Sequence, residues 1–428
     1  MEQLVSDEKL NETACKIGFK KRASLLSPRD FIEIIFHESV NGNTSLSQYC
    51  TNFYHSTGKK ISKQAIDKRF RSKAKEFFAQ LLEKVMQKHF SLTDINTNQN
   101  VFSEIRIMDS TEFKLSPVLS ELFPGYGGKG REAMAKIQFE FELLKGRITQ
   151  LRLGNSLNSD VSQGLIHLDD IPERAMLIRD MGYVNTKVYK ELIKRKIFFI
   201  SRLKPQINIY IKKNGILEPL KRTEIYQMLL ERKTKYLDIE AYVGSELKIP
   251  VRLIANLLGE EQKTRRIKRK IKNKGTANNE DMFNACFNIM VTNVEKEVCD
   301  PEKIYDLYRI RWQIELIFKA WKSILRIHQI NPMNPQRFEC LMYVKFLWIL
   351  LNWSLVQLFS NLSMAEISHY KFAFTLIKHT QSLIRKSILA NGSLYHLLNE
   401  LFELSIVYHQ KEHKKGRPKI KEILNLKH

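Results

Sequence analysis

The stretch between Asp300 and Pro332 constrains the fold of this chain most, because it contains no glycine, and no proline after Pro301. Asp300 can cap a helix, Pro301 suits the first helical position, and Glu302 complements the positive helix end. We therefore expect one long helix here. At ~100° of rotation per residue, four polar side chains fall within a wedge of about 60°. They are Tyr308, Arg311, Glu315 and Lys322.

An apolar stripe beside this wedge is formed by Leu307, Ile314, Phe318 and Leu325. One edge of the helix is thus predicted to be buried, while the other presents a carboxylate flanked by two cations and a phenol. This arrangement suits a metal ion and phosphate groups. On this helix alone, a surface helix with ordinary charge pairs stays open as the alternative.

The chain has 428 residues, with 70 Lys and Arg against 46 Asp and Glu, which gives a formal net charge of +24. The length predicts roughly two to four domains, each able to bury a core. The positive surplus indicates a polyanionic partner. Nucleic acid is favoured over a membrane surface, because the sequence shows no amphipathic anchor or lipidation signal.

Cysteine usage and the N-terminus favour a cytoplasmic protein. The acidic segment from Met1 to Glu8 lacks a secretory signal. The stretch from Phe346 to Ala365 has no charge over 20 residues but holds several polar side chains, so a buried helix is favoured over a membrane span. The five cysteines are scattered and make neither a zinc spacing nor a disulfide framework. They are Cys15, Cys50, Cys286, Cys299 and Cys340.

Residues 1–97 are predicted to form a helical N-terminal DNA-binding domain. Ser27 can cap one helix, a second short helix covers Leu46 to Tyr54, and Gly58 lies in a turn before the next cap, Ser62. This outline is typical of a helix-turn-helix, although any small helical bundle can show it. DNA contact is expected from the side chains of the last helix, namely Lys63, Gln64, Lys68 and Arg69.

Residues 98–204 change to a strand pattern. A short strand from Ile105 ends on Asp109, and alternating apolar residues from Ile137 to Leu143 predict a half-buried strand that turns at Gly146 into a hairpin. A buried strand from Ala175 then ends on Asp180, and a helix and another strand follow. We expect an α/β fold with a mixed sheet, whose two strand-end aspartates lie where such sheets place their chemistry.

Residues 205–295 are predicted to form a β-rich insertion. Within it, the run from Lys263 to Lys274 has eight cations in twelve residues. Such a run is most often a mobile solvated loop, but contact with phosphates is equally open in so basic a chain. The candidate residues are Arg265, Arg266, Lys268 and Arg269.

The remaining chain divides into residues 296–345, which hold the long helix, and a helical C-terminal region at 346–428 with a basic tail. Arg417 lies in a Lys-Gly-Arg-Pro-Lys segment of this tail, which can enter an A·T-rich minor groove. A disordered, solubilising tail is the favoured alternative.

Asp109, Asp180 and Glu315 together form a plausible site for Mg²⁺, which prefers hard oxygen ligands and takes its remaining ligands from water and phosphate. Two such ions about 3.5–4 Å apart can stabilise the attacking and leaving oxygens of an in-line phosphoryl displacement. Taken singly, each of these acids is also compatible with a turn or surface role.

The spacing Tyr-x2-Arg-x3-Glu-x6-Lys resembles the signature of the bacterial DDE transposases of the insertion-sequence-four group, which includes transposon-five-like transposases. The segments around Asp109 and Asp180 are also similar to this family, and the resemblance covers about residues 100–345. The chain departs from the family at Met181, where relatives often carry arginine. The signature residues are Tyr308, Arg311, Glu315 and Lys322.

The resemblance implies an RNase H-like catalytic core in two parts, interrupted by the β-rich insertion before the glutamate helix. It implies metal ligation by Asp109, Asp180 and Glu315, with Mg²⁺ replaceable by Mn²⁺. Tyr308, Arg311 and Lys322 are then expected to hold DNA phosphates.

The activity implied is a cut-and-paste transposase that cleaves double-stranded DNA at terminal inverted repeats and joins the ends to target DNA. The resemblance also implies a homodimer in the synaptic complex and a nucleoid-associated location in the bacterial cytoplasm. The alternatives are a non-catalytic DNA-binding protein on a transposase fold and a nuclease without strand transfer.

Overall fold

The structure is a computed structural model. It describes residues 6–41, 45–90, 101–126, 132–166, 168–232, 234–388, 393–412 and 420–424. The predicted contact of Arg417 with the minor groove lies outside the described residues.

The N-terminal part is helical, as expected. Ser27 and Ser62 accept hydrogen bonds from the N–H groups of Asp30 and Ala65, both at 3.1 Å, and so cap the helices that follow them. The predicted last helix of the helix-turn-helix is shorter than its sequence suggested, because it ends at Asp67 and the chain turns before the next helix begins at Ser72. The helices are α1 Asp7–Ile17, α2 Pro28–Asn41, α3 Leu46–Thr57, α4 Lys63–Asp67 and α5 Ser72–Phe90.

A ten-stranded mixed sheet forms the centre of the described structure. Its first five strands are β1 Ile105–Leu115, β2 Ala133–Glu142, β3 Arg147–Asn155, β4 Met176–Arg179 and β5 Phe198–Arg202. Strands β1 to β3 form an antiparallel meander, whereas β4 is parallel to β1 and β5 is parallel to β4. The predicted mixed sheet is therefore confirmed. Helix α6 Asp160–Leu165 precedes β4, and helix α7 Thr186–Lys194 connects β4 to β5.

The prediction that Asp109 ends its strand is wrong, because β1 continues to Leu115. The antiparallel pairing with β2 extends as far as Leu115 opposite Ala133, while the parallel pairing with β4 stops at Met108 opposite Arg179. Asp109 is thus the first residue of β1 beyond its parallel neighbour.

The segment predicted as a β-rich insertion adds its strands to the same sheet. They are β6 Ile209–Lys213, β7 Ile216–Pro219, β8 Tyr236–Val243, β9 Ile249–Leu257 and β10 Phe287–Thr292, with helices α8 Arg222–Arg232, α9 Glu260–Lys274 and α10 Asn279–Asn284. Strand β10 pairs with β5, so the strands follow the order β3-β2-β1-β4-β5-β10-β9-β8-β6-β7 across the sheet. The basic run is not a loop: it forms α9, whose first turn carries Glu260 and Glu261.

The long helix predicted from Asp300 onward is broken at one residue. Asp300 caps it through a 2.7 Å bond from the Lys303 N–H, as expected. Helix α11 Pro301–Ile310 is followed by Arg311, which is both its C-cap and the N-cap of the next helix, α12 Trp312–Ser323. Arg311 keeps right-handed helical angles, with φ −48° and ψ −32°, but its N–H donates to the carbonyl of Tyr308 instead of one residue earlier. The break is a tightened turn, and no glycine or proline is present there from which the sequence could predict it.

The C-terminal part consists of α13 Pro335–Ser363, α14 His369–Ile388, α15 Ser393–Tyr408 and α16 Ile420–Ile423. Helix α13 is long and apolar enough to cross a membrane by length and composition alone, but 72% of its most apolar window is buried inside the protein. It packs against α2 and α5 of the N-terminal part and against β3. This burial agrees with the predicted core helix.

Two cores cover the two faces of the sheet. One contains Ile107, Phe139 and Ile178 and joins the sheet to α11–α14 and to the N-terminal helices. The other contains Leu177 and Phe199 and packs under α7 and α8. The first core crosses the predicted boundaries at residues 97 and 345, which stay predictions.

Candidate active site

Strand register brings Asp109 and Asp180 side by side. The last parallel pair of β1 and β4 is Met108 opposite Arg179, so the two aspartates are the next residue on each strand. Side chains alternate between the faces of a strand. Asp109 therefore shares the face of Ile107, which belongs to the core beneath α11 and α12. Asp180 follows β4 directly, and by the same alternation it shares the face of Ile178, which belongs to the same core.

Arg311 connects the aspartates to the glutamate helix. Its guanidinium donates to Asp109 Oδ2 at 2.6 Å and to Glu315 Oε1 at 2.8 Å. The Tyr308 hydroxyl donates to Asp180 Oδ1 at 3.4 Å. The structure thus brings together five of the six residues that the signature and the acids predicted. The sixth, Lys322, lies at the edge of the cluster and donates to the Glu112 carbonyl at 3.3 Å.

Burial dominates the electrostatics of this cluster. It raises the pKa of Asp109 to about 6, because Arg311 and the Ser110 N–H offset it only in part while Asp180 and Glu315 add to it. Burial, followed by Asp180, raises the pKa of Tyr308 to about 12, so this phenol remains a donor. Burial opposes the charge of Arg311, but its acidic neighbours and Tyr308 outweigh that effect and raise its pKa.

Arg202 belongs to the cluster, although no sequence pattern singled it out. Strand β5 pairs with β4 in parallel through Ile178 opposite Ile200, so Arg202 lies level with Asp180 on the same face. Its position depends on strand register, which a family resemblance to the surrounding segment does not reveal.

A cavity of about 560 Å³ opens beside Tyr308 and Arg311. It holds four arginines, and among the described residues that line it there is no carboxylate. The arginines are Arg202, Arg266, Arg309 and Arg311. Arg266 comes from α9 and also contacts the Asn288 side chain and the Phe287 carbonyl. Burial and the charge of Arg202 lower the pKa of Arg266 to about 10. An arginine cavity without acids is suited to phosphate groups.

Buried groups behind the sheet fix the turn that carries Asp180. Before it, Arg179 donates to the Gly164 carbonyl at 2.6 Å and to Glu140 at 3.2 Å. After it, the Tyr183 hydroxyl donates to Gln138 Oε1 at 2.6 Å. The carboxylate therefore lies between two anchored residues, which restricts its direction.

The other predicted DNA contacts lie away from this cluster, apart from Arg266. In α4, Lys63 and Gln64 are exposed, as is Lys68 just after it, whereas Arg69 turns inward to Ser24 and the Leu26 carbonyl. On α9, three residues are exposed and available to a partner: Arg265, Lys268 and Arg269. Their role in DNA binding stays a prediction.

The donor set meets the needs of a divalent cation in part. Carboxylate oxygens are the ligands that Mg²⁺ prefers, and Asp109 lies near two further acids. Within the described ranges, however, no three His, Cys, Asp or Glu side chains converge closely enough to hold a metal ion. The guanidinium of Arg311 lies between Asp109 and Glu315 and supplies the positive charge there. The acids fit a cation chemically, provided that Arg311 releases them.

Comparison with known proteins identifies the class. The family model of the transposase DDE domain matches residues 101–351 of this chain. The chain therefore belongs to the DDE transposase family, whose members act on DNA and generally use divalent metal ions.

Individual relatives extend the similarity to nearly the whole chain. The transposase for insertion sequence element IS231B of Bacillus thuringiensis subsp. berliner is 30% identical, and the alignment covers 97% of this chain and 92% of the relative. The transposase for IS1151 of Clostridium perfringens is 28% identical, with 87% and 84% covered. The putative transposase InsL for IS186A of Escherichia coli K12 is 29% identical over 102 residues only.

Proposed function

We propose that this chain is the transposase of an insertion sequence, which binds the terminal inverted repeats, cleaves the DNA there and joins the freed 3′-OH ends to target DNA. The observation that carries this proposal is the alignment of Asp109 and Asp180 at adjacent strand positions, facing Glu315 and Arg311. An antiparallel meander followed by two parallel strands supports an RNase H-like core. A nuclease without strand transfer stands as the alternative, and an assay for joined products separates the two.

In this proposal, Asp109, Asp180 and Glu315 hold Mg²⁺, or Mn²⁺ in its place. Such ions stabilise the attacking and leaving oxygens of a phosphoryl displacement. Arg311 releases the acids and moves its guanidinium to a DNA phosphate, where Tyr308 and Arg202 lie within the same cavity. The anchored turn of Asp180 keeps its carboxylate in place during this exchange.

The partners proposed are double-stranded DNA at the element ends and at the target, and a second copy of the chain, because both ends are processed together. Lys63, Gln64 and Lys68 are proposed to contact the ends, and α9 the backbone. We also propose a cytoplasmic, nucleoid-associated location. Short inverted repeats in the DNA beside the coding region, with direct target duplications outside them, would support the assignment.

Glu315→Gln tests the reaction. The amide keeps the shape of the side chain but loses its charge, so binding of end DNA should persist. Cleavage should fall by at least about 10²-fold, because a metal ion contributes several kcal/mol to the transition state. The assay is gel analysis of a labelled end duplex with Mg²⁺ and with Mn²⁺.

Glu302→Gln on α11 is the matched control, since its side chain is 62% exposed and, among the described residues, forms an ion pair only with Lys235. It should cleave like the parent. Full cleavage by Glu315→Gln would remove this residue from the proposed mechanism.

A further inference from the structure

A second cavity, of about 550 Å³, opens on the other side of Glu315. It lies over β1 and the end of α12. Its lining contains Thr111, Phe318, Lys319, Lys322, Ser323 and His328, besides Glu315 itself. The arginine cavity described above shares none of these residues. Glu315 therefore borders a basic, partly apolar groove in addition to its contact with Arg311.

This groove has a surplus of positive charge. Among the described residues, Lys319 is exposed and forms no ion pair, and Lys322 bonds only to a backbone carbonyl. Burial, followed by the charges of Lys322 and Lys345, lowers the pKa of His328 and favours its neutral imidazole, which can still donate one hydrogen bond, so the positive charge comes from the two lysines. Two lysines that form no ion pair with any described residue suit a sugar-phosphate strand, whose phosphates are anionic.

The helix separates the two cavities along its axis. Lys319 lies eight residues after Arg311, which corresponds to about 12 Å at ~1.5 Å per residue. In an in-line displacement, the attacking and leaving oxygens lie on opposite sides of the reacting phosphorus. Two DNA segments must therefore reach Glu315 from different directions during joining.

We propose that the groove of Lys319 and His328 binds the target DNA strand, while the arginine cavity holds the element end. This inference rests on the proposed function. In the step concerned, the 3′-oxygen of the end forms a new bond to the target phosphorus and loses its proton to solvent. The bond from that phosphorus to the target 3′-oxygen breaks, and the released oxygen takes up a proton. Lys319 and His328 hold phosphates of the target strand next to this position.

The test compares two reactions of the full chain carrying Lys319→Ala and His328→Ala together. One is cleavage of an end duplex, and the other is joining of precut ends to a plasmid. Joining should fall roughly tenfold or more, because hydrogen bonds to charged groups are removed, while cleavage stays within about twofold of the parent. The salt dependence of target capture should weaken by about one unit of slope, because Lys319 is the cation that the variant removes.

Two further variants sharpen the result. Lys319→Arg keeps the charge and should retain joining. Lys190→Ala with His396→Ala removes the same residue types from exposed positions on α7 and α15 and should leave both reactions unchanged. Equal loss of cleavage and joining would assign the groove to the element end and overturn the proposal, as would unchanged joining. A parent chain that neither cleaves nor joins would refute the proposed function itself.

Discussion

Among the single residues of the site, Asp109 lies in surroundings that disfavour its ionised form. Its side chain is only 19% exposed, and two other acids lie near it. A raised carboxyl pKa means that the folded protein binds a proton more readily than the unfolded chain does. In the absence of a cation, ionisation of Asp109 therefore lowers the stability of the folded protein. Carboxylates with perturbed pKa values are typical of functional sites.

Asp109→Asn should therefore stabilise the metal-free protein in a pH-dependent way. The folded pKa of about 6 lies above the ordinary value of 3.8. The stability of the parent should fall as pH rises from ~4 to ~6, and the full cost, up to about 3 kcal/mol, should persist above that window. Asparagine does not titrate, so its advantage over the parent should be larger at pH ~8 than at pH ~4.5. Urea unfolding in the presence of a chelator measures this difference.

The exposed Asp169→Asn is the control, because this side chain is 87% exposed and its ion pair with Arg195 lies at the surface. An advantage of Asp109→Asn that is equal at both pH values would contradict the assigned cause.

At the scale of elements, the sequence predicted those features that depend on local pattern. Alternation indicated the strand around Phe139, and capping residues indicated the starts of α4 and α11. The helical state of α9 was missed because its charges hide the apolar periodicity that normally marks a helix. Arg202 was missed because its place beside Asp180 is set by the pairing of β4 with β5.

Helix α9 is predicted to contribute DNA affinity without sequence preference. Replacing Arg265, Lys268 and Arg269 by alanine should reduce the slope of log affinity against log salt by about 0.9 for each phosphate that is no longer neutralised. The fold should be preserved, since these side chains are exposed and, within the described part of the chain, only Arg265 forms an ion pair, with Glu261. Fluorescence anisotropy on end and random duplexes over a salt series measures this slope.

Three exposed lysines on α7 and just after it provide the control triple: Lys187, Lys190 and Lys196. Their replacement should leave the slope unchanged. A selective loss of affinity for end DNA, without a change in slope, would show that α9 reads bases instead of phosphates.

At the scale of the whole molecule, the N-terminal helices and the C-terminal helices share one core with the sheet. Helix α13 touches α2, α5 and β3 along its length. Lys75 of α5 pairs with Glu339 of α13 at 2.6 Å. The sequence could not show this, because the partners lie far apart along the chain and no local pattern links them.

Phe338→Ala tests whether these parts unfold together. Phe338 is fully buried on α13, and its ring meets that of Phe123 edge to face at 5.0 Å. The cavity left by this change should cost about 3–5 kcal/mol. Because one core joins the parts, amides in α5 and in β2 should lose hydrogen-exchange protection by the same free energy.

Leu362→Ala, at a position 64% exposed, should change protection by less than about 0.5 kcal/mol and serves as the control. Protection that survives in α5 while β2 opens would instead show that the N-terminal helices form an independent unit.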